Sequence, residues 1–157
     1  MTTPEHWKKA KAHLSKRDPV LKDIIKSYKG EMMMKRGDAF YTLARAIAGQ
    51  QISVKAADSV WKRLVEKLGE VTPKTVGNAM AEDLRICGLS GSKVIYMHAL
   101  ANHFLETKNL AKRWAKMDDD ELIKDLTSVK GIGRWTAEMF MMFHLGRPDV
   151  LPVADIG

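Results

Sequence analysis

Apolar residues along this chain recur every three or four positions, and β-branched or aromatic residues rarely alternate with polar ones. That periodicity predicts an all-α molecule. A basic amphipathic segment over 5–15 carries Trp7 and Leu14 on one side. Asp18-Pro19 has the form of an N-cap and first-turn proline, opening a helix to about Tyr28 that Gly30 closes. Met32, Met33 and Met34 cluster before Gly37, where they suit flexible core packing or the lining of an apolar pocket. Asp38 caps a helix with the stripe Phe40, Leu43, Ala44 and Ile47. Beyond Gly49-Gln50-Gln51-Ile52, Ser53 caps a longer helix bearing Val54, Ala57, Val60, Trp61, Leu64, Val65 and Leu68, stopped by Gly69.

Thr72-Pro73 starts a short helix, and residues 81–86 form another that Gly88 ends. Ser90 or Ser92 caps a helix whose apolar residues are Val94, Ile95, Met97, Leu100, Ala101, Phe104 and Leu105. Leu110 and Trp114 fall in a brief turn or helix. Asp118 with Glu121 has capping-box spacing, and Leu122, Ile123 and Leu126 carry the apolar face onward. A last helix spans 133–144, with Trp135, Met139, Phe140 and Phe143 available for burial, and Gly146 and Pro148 end it. Repeats, low-complexity tracts and long linkers are absent, so residues 1–157 read as one domain. The segment Asp155-Ile156-Gly157 has the form of the threshold of another helix, and a longer natural chain is expected.

Composition narrows the partners. The 157 residues carry 26 Lys+Arg against 19 Asp+Glu, a formal charge of +7, which favours a polyanion. The lone Cys87 excludes an internal disulfide framework and an iron–sulfur cluster held by the chain's own cysteines. Met1 is followed by a polar run, and no apolar stretch approaches the roughly 20 residues that span a bilayer. An intracellular monomer without membrane contact is expected, in the cytoplasm or nucleoid of a prokaryote or the nucleus of a eukaryote.

The chemistry concentrates in residues 126–137, Leu-Thr-Ser-Val-Lys-Gly-Ile-Gly-Arg-Trp-Thr-Ala: one helix, a tight turn and the start of the next. Gly131 and Gly133 bracket Ile132, which can tuck between the helices while the glycines allow positive φ or close approach. The first-turn amides behind Gly133 lack intrahelical acceptors and suit a phosphate, with Lys130 and Arg134 adding charge. A plain helix–helix turn is the alternative. A dinucleotide fingerprint is excluded, because Thr136 stands at the third glycine position and a helix precedes the turn. Carbonyls of Val129 and Gly131 could hold Na⁺ or K⁺ bridging to phosphate, and no cofactor is required.

Gln50 and Gln51 lie at a helix junction, where they cap backbone groups or fill the space of an extruded nucleotide. Asp155, behind apolar Leu151, Pro152 and Val153 that should bring it to the packed body, is either a helix N-cap or a carboxylate placed to stabilise charge at a ribose C1′. His98, His103 and His144 make no metal-ligand pattern with Cys87 and have structural or surface roles. Trp61 and Trp135 are core by default, although Trp135 could instead line a base pocket.

Three segments together resemble the helix–hairpin–helix DNA glycosylase superfamily, especially its 3-methyladenine DNA glycosylase II branch. They are residues 44–53 (Ala-Arg-Ala-Ile-Ala-Gly-Gln-Gln-Ile-Ser), the hairpin at 126–137, and Pro152-Val153-Ala154-Asp155. The resemblance implies a two-lobed helical domain with a cleft between the lobes, apparently lacking its C-terminal helices. It also implies a flipped damaged nucleotide and hydrolysis of the N-glycosidic bond in double-stranded DNA, as in base excision repair. Asp155 matches the catalytic aspartate, and Gln51 the residue that wedges into the duplex. The hairpin residues Lys130, Gly131, Ile132, Gly133, Arg134 and Thr136, with Gln50, match the DNA-gripping set. Trp135 stands where bifunctional relatives carry a Schiff-base lysine, which implies a monofunctional enzyme with Trp135 in the pocket wall. Met139 stands at a pocket tyrosine of some members. Alkylated purines such as 3-methyladenine and 7-methylguanine are the expected substrates. The alternatives are deaminated, etheno or mismatched bases, and a non-catalytic DNA-binding module.

Overall fold

A computed structural model describes residues 6–28, 38–153 and 155, and every regular element among them is helical. The Met32–Met34 cluster, Gly30 and Gly37 lie outside the described residues. Helices α1 (Trp7–Arg17) and α2 (Pro19–Ser27) form an antiparallel pair without a fully buried residue. Asp18 turns the chain between them, its carboxylate accepting the amides of Val20 and Leu21.

The body begins at α3 (Ala39–Gly49), capped by Asp38, and α4 (Val54–Leu68), capped by Ser53. Short helices α5 (Pro73–Asn78) and α6 (Ala81–Ile86) lead to α7 (Gly91–Glu106). Of the two candidate caps for α7, Ser90 is the one that accepts an amide, from Lys93. Helix α8 (Leu110–Trp114) precedes α9 (Asp119–Ser128), and α10 (Arg134–Phe140) continues into a π-helical turn, Met141–Leu145.

Side chains from α3, α7, α8, α9 and α10 meet in one core, including Leu43, Ile47, Met97, Leu100, Leu122 and Leu126. Trp114 is its aromatic hub, edge-on to Phe104 and Phe140 at 5.2 and 5.6 Å between centroids. Its indole N–H donates to the Asp125 carboxylate at 2.5 Å, so the one polar atom of this buried ring is satisfied. A tryptophan expected in a brief turn or helix thus joins three helices.

Four residues assigned to apolar stripes point outward: Val54, Val65, Ile95 and Leu105. Helix α4 meets the body through Val60, Trp61 and Leu64, and α7 through Val94, Met97, Leu100 and Ala101. Val65 and Ile95 each stand one residue past a buried position, Leu64 and Val94, and so turn about 100° away from the contact.

Candidate nucleic-acid interface and active site

The bend between α9 and α10 divides the work of its residues sharply. Val129 and Ile132 are buried, and the Ile132 amide donates to the Val129 carbonyl at 3.0 Å, closing the turn. Gly131 has φ +95°, and a Cβ there would collide with the side chain of Tyr96 on α7. Gly133 has ordinary φ −87°, and a Cβ there would meet nothing within 4 Å. The first glycine is demanded by the fold, whereas the second leaves an open surface.

Helix α10 starts without a side-chain cap, unlike α2, α3, α4, α5, α7 and α9. Its first intrahelical bond runs from the Ala137 amide to the Gly133 carbonyl at 3.0 Å, so the amides of Arg134, Trp135 and Thr136 precede the helical ladder. Lys130 and Arg134 are exposed at the same end. Thr136 is buried, at 6% exposure, so it is its main chain that belongs to this surface. The Glu138 carboxylate is buried one turn on. Its Oε1 accepts the Arg134 Nε at 2.9 Å, while Oε2 has no hydrogen-bond partner among the described residues.

Trp135 is 45% exposed and is therefore not a core residue. Trp135, Met139, Met142 and Phe143 follow i, i+4, i+7 and i+8 spacing, which sets them along one face of α10 and its π-helical extension. That stripe runs from the bend toward an apolar groove of about 540 Å³ between the α1–α2 pair and Met142 and Phe143. Trp7, Leu14, Leu21, Ile24 and Tyr28 supply its other wall; Trp135 and Met139 do not line it.

The Gln50–Gln51 loop is bonded to the bend. Gln50 Nε2 donates to the Gly131 carbonyl at 2.8 Å, across 81 residues of sequence. Gln51 is exposed and adopts φ +56°, an unusual conformation for a non-glycine residue. Lys93 Nζ donates to the Ala48 carbonyl at 2.9 Å, just before this loop, and burial pushes the Lys93 pKa below the usual lysine range. The carbonyls of Val129 and Gly131, expected as cation ligands, accept bonds from Ile132 and Gln50 respectively.

Asp155 is exposed, its amide donating to the Pro152 carbonyl at 3.0 Å. Leu151 and Val153 are more than 80% exposed, so these two side chains do not pack on the body as their apolar character suggested. The segment carries its own turn bonds, including Val153 N–H to Leu151 O. Upstream, Arg147 ties the chain back to the α8–α9 connection through the Met117 carbonyl at 2.5 Å and the Asp119 carboxylate at 3.4 Å. The histidines enter structural contacts: His98 with the Ala79 carbonyl, His103 with Asp125, and His144 with Thr42.

Sequence reasoning did not find Lys93, Tyr96 or Glu138. Lys93 precedes buried Met97 by one helical turn, a lysine on an apolar face that was open to notice. Arg134 and Glu138 show i, i+4 pairing, but the burial of the carboxylate depends on tertiary packing.

The all-α body presents an uncapped helix start, two exposed cations and a bonded glutamine loop on a helical hairpin, a surface suited to a polyanion. A family model described as the HhH-GPD superfamily base excision DNA repair protein matches residues 44–157, and the chain belongs to that family. It is 35% identical over 158 residues to DNA-3-methyladenine glycosylase 1 of Schizosaccharomyces pombe, covering 94% of this chain and 68% of the relative. It superposes on the DNA-3-methyladenine glycosidase of Bacillus halodurans with TM-score 0.82 and 32% identity, covering 94% of this chain and 69% of that one. Against the Schizosaccharomyces pombe 3-methyladenine DNA glycosylase in complex with abasic DNA, the TM-score is 0.75 at 33% identity, covering 94% and 75%.

Proposed function

We propose that this protein is a monofunctional DNA glycosylase that removes alkylated purines, of the 3-methyladenine and 7-methylguanine type, from double-stranded DNA in base excision repair. The observation that carries the reading is the exposed Trp135 beside the open amides of the Gly131–Gly133 bend, at the head of a stripe leading to an apolar groove. Its likeness to 3-methyladenine glycosylases supports the substrate class. The Schizosaccharomyces pombe relative bound to abasic DNA supports DNA as the partner.

The backbone is held by the amides of residues 134–136, with Lys130 and Arg134 neutralising phosphates. Gln51 fills the gap left by the extruded nucleotide, and Gln50 fixes the loop to the bend. An alkylated purine carries positive charge, so the face of Trp135 attracts it, and polarizable Met139 lies one turn further along. The charged base is also a good leaving group. When its bond to C1′ breaks, the electron pair goes to the base, which departs neutral without an added proton. Asp155 stabilises the positive charge that develops on the sugar and accepts a proton from the water that attacks C1′. With Trp135 in place of a lysine, no amine there traps the sugar as a Schiff base, and the product is an intact abasic strand. A monovalent cation at the Val129 and Gly131 carbonyls would add to phosphate binding through their second lone pairs.

A panel of single-lesion duplexes tests this. Release of methylated purines, with strand breaks appearing only after alkali, is expected. Action confined to deaminated, etheno or mismatched bases would replace the substrate. Salt-dependent binding without any abasic product would leave a DNA-binding module, and breakage before alkali would contradict the monofunctional mechanism.

A further inference from the structure

The bend and the Gln50–Gln51 loop are far apart in sequence, yet both are held by the first turns of α7. Lys93 donates to Ala48 in the last turn of α3, where main-chain carbonyls lack intrahelical donors and the helix dipole favours a cation. Three residues on, Tyr96 fills the space beside Gly131 so closely that no Cβ fits there. The Gln50 amide then joins the loop to the Gly131 carbonyl. Between these supports stands Gln51, exposed and in a left-handed conformation that a non-glycine residue adopts only at an energetic cost. Strain of that kind persists only where the surroundings fix both flanks.

We propose that Lys93, together with Tyr96, is a positioning residue that sets Gln51 at a fixed offset from the Gly131–Gly133 bend, so that the loop enters the duplex as the bend grips its backbone. The proposal rests on the base-extruding reading above and assigns Lys93 no contact with DNA. A lysine that merely capped α3 would alter stability and weaken binding to every duplex alike. A positioning lysine alters one thing selectively: the preference for DNA that already has a gap to fill.

The test compares binding of fluorescent duplexes, one intact and one with a single tetrahydrofuran abasic site, by wild type, Lys93→Met and Lys93→Arg. Lys93→Met is expected to lower the abasic-over-intact preference about tenfold, the scale of one charged hydrogen bond, with intact-duplex affinity retained. Lys93→Arg, which keeps a long cationic donor, is expected to retain the preference. If Lys93→Met does not melt cooperatively, Lys93→Gln, with a shorter donor, takes its place on the same readout. Unchanged preference, equal loss on both duplexes, or a wild type without abasic preference would each overturn the proposal. Base release by the wild type is scored separately. Its absence would sink the catalytic reading while the binding ratio still judges Lys93.

Discussion

Gly131 and Gly133 stand two residues apart, and their surroundings ask different things of them. Gly131→Ala must accept positive φ and displace Tyr96, so a loss of about 3 kcal/mol in unfolding free energy is expected by denaturant titration. Gly133→Ala meets open space at an ordinary φ and should cost under about 1 kcal/mol. Duplex affinity should nevertheless fall, because the methyl group stands where a phosphate must approach. The paired glycines were legible in the sequence, but their division of labour was not, since it depends on a tyrosine brought in from another helix. Trp135 shows the same limit. Its spacing fits a buried stripe as well as an exposed one, and only the packing of Thr136, Ala137 and Phe140 turns it outward.

At the scale of elements, the caps and stops were the most readable features. Asp18, Asp38, Ser53 and Asp118 accept first-turn amides as their positions imply, because capping is settled within a few residues, while the reciprocal box forms at Thr72 and Thr75. The π-helical turn at Met141–Leu145 carried no local signal, and such bulges often mark functional sites. Its residues Met142 and Phe143 line the groove against the α1–α2 pair. Helix α8 is as brief as its sequence implies, but five residues give too little periodicity to show that Trp114 anchors the core. Trp114→Phe keeps the ring packing and removes the indole donor from Asp125, which retains His103 and partial solvent exposure, so a loss of about 1 kcal/mol is expected by thermal melting. Helix α7 also carries a pH signature. The Lys93 pKa is lowered by burial, so between its folded and unfolded values the unfolded chain holds more protons. Stability contributed by this group therefore rises with pH as the folded-state lysine loses its proton. Wild type should gain stability relative to Lys93→Met as pH rises toward the unfolded lysine value of about 10.4, measured by denaturant midpoints.

For the whole molecule, the excess of 26 basic over 19 acidic residues gains a direction from the fold. The bend concentrates Lys130 and Arg134 at an uncapped helix start, so binding should fall steeply with salt. If each cation contacts one phosphate, Lys130→Ala/Arg134→Ala should reduce the slope of log K against log salt by about 1.8, weakening all sequences alike. The all-helical body was legible because periodicity is strong along its whole length. The placement of Asp155 was not, because its flanking Leu151 and Val153 are exposed and hydrophobic identity alone does not ensure burial. The carboxylate is nonetheless the group on which the proposed chemistry turns. Release of 3-methyladenine and 7-methylguanine from methylated duplex DNA, compared between wild type and Asp155→Asn, tests it most directly. The account predicts release by the wild type and at least about a hundredfold slower release by Asp155→Asn, with duplex affinity preserved. Equal rates from the two proteins would contradict it.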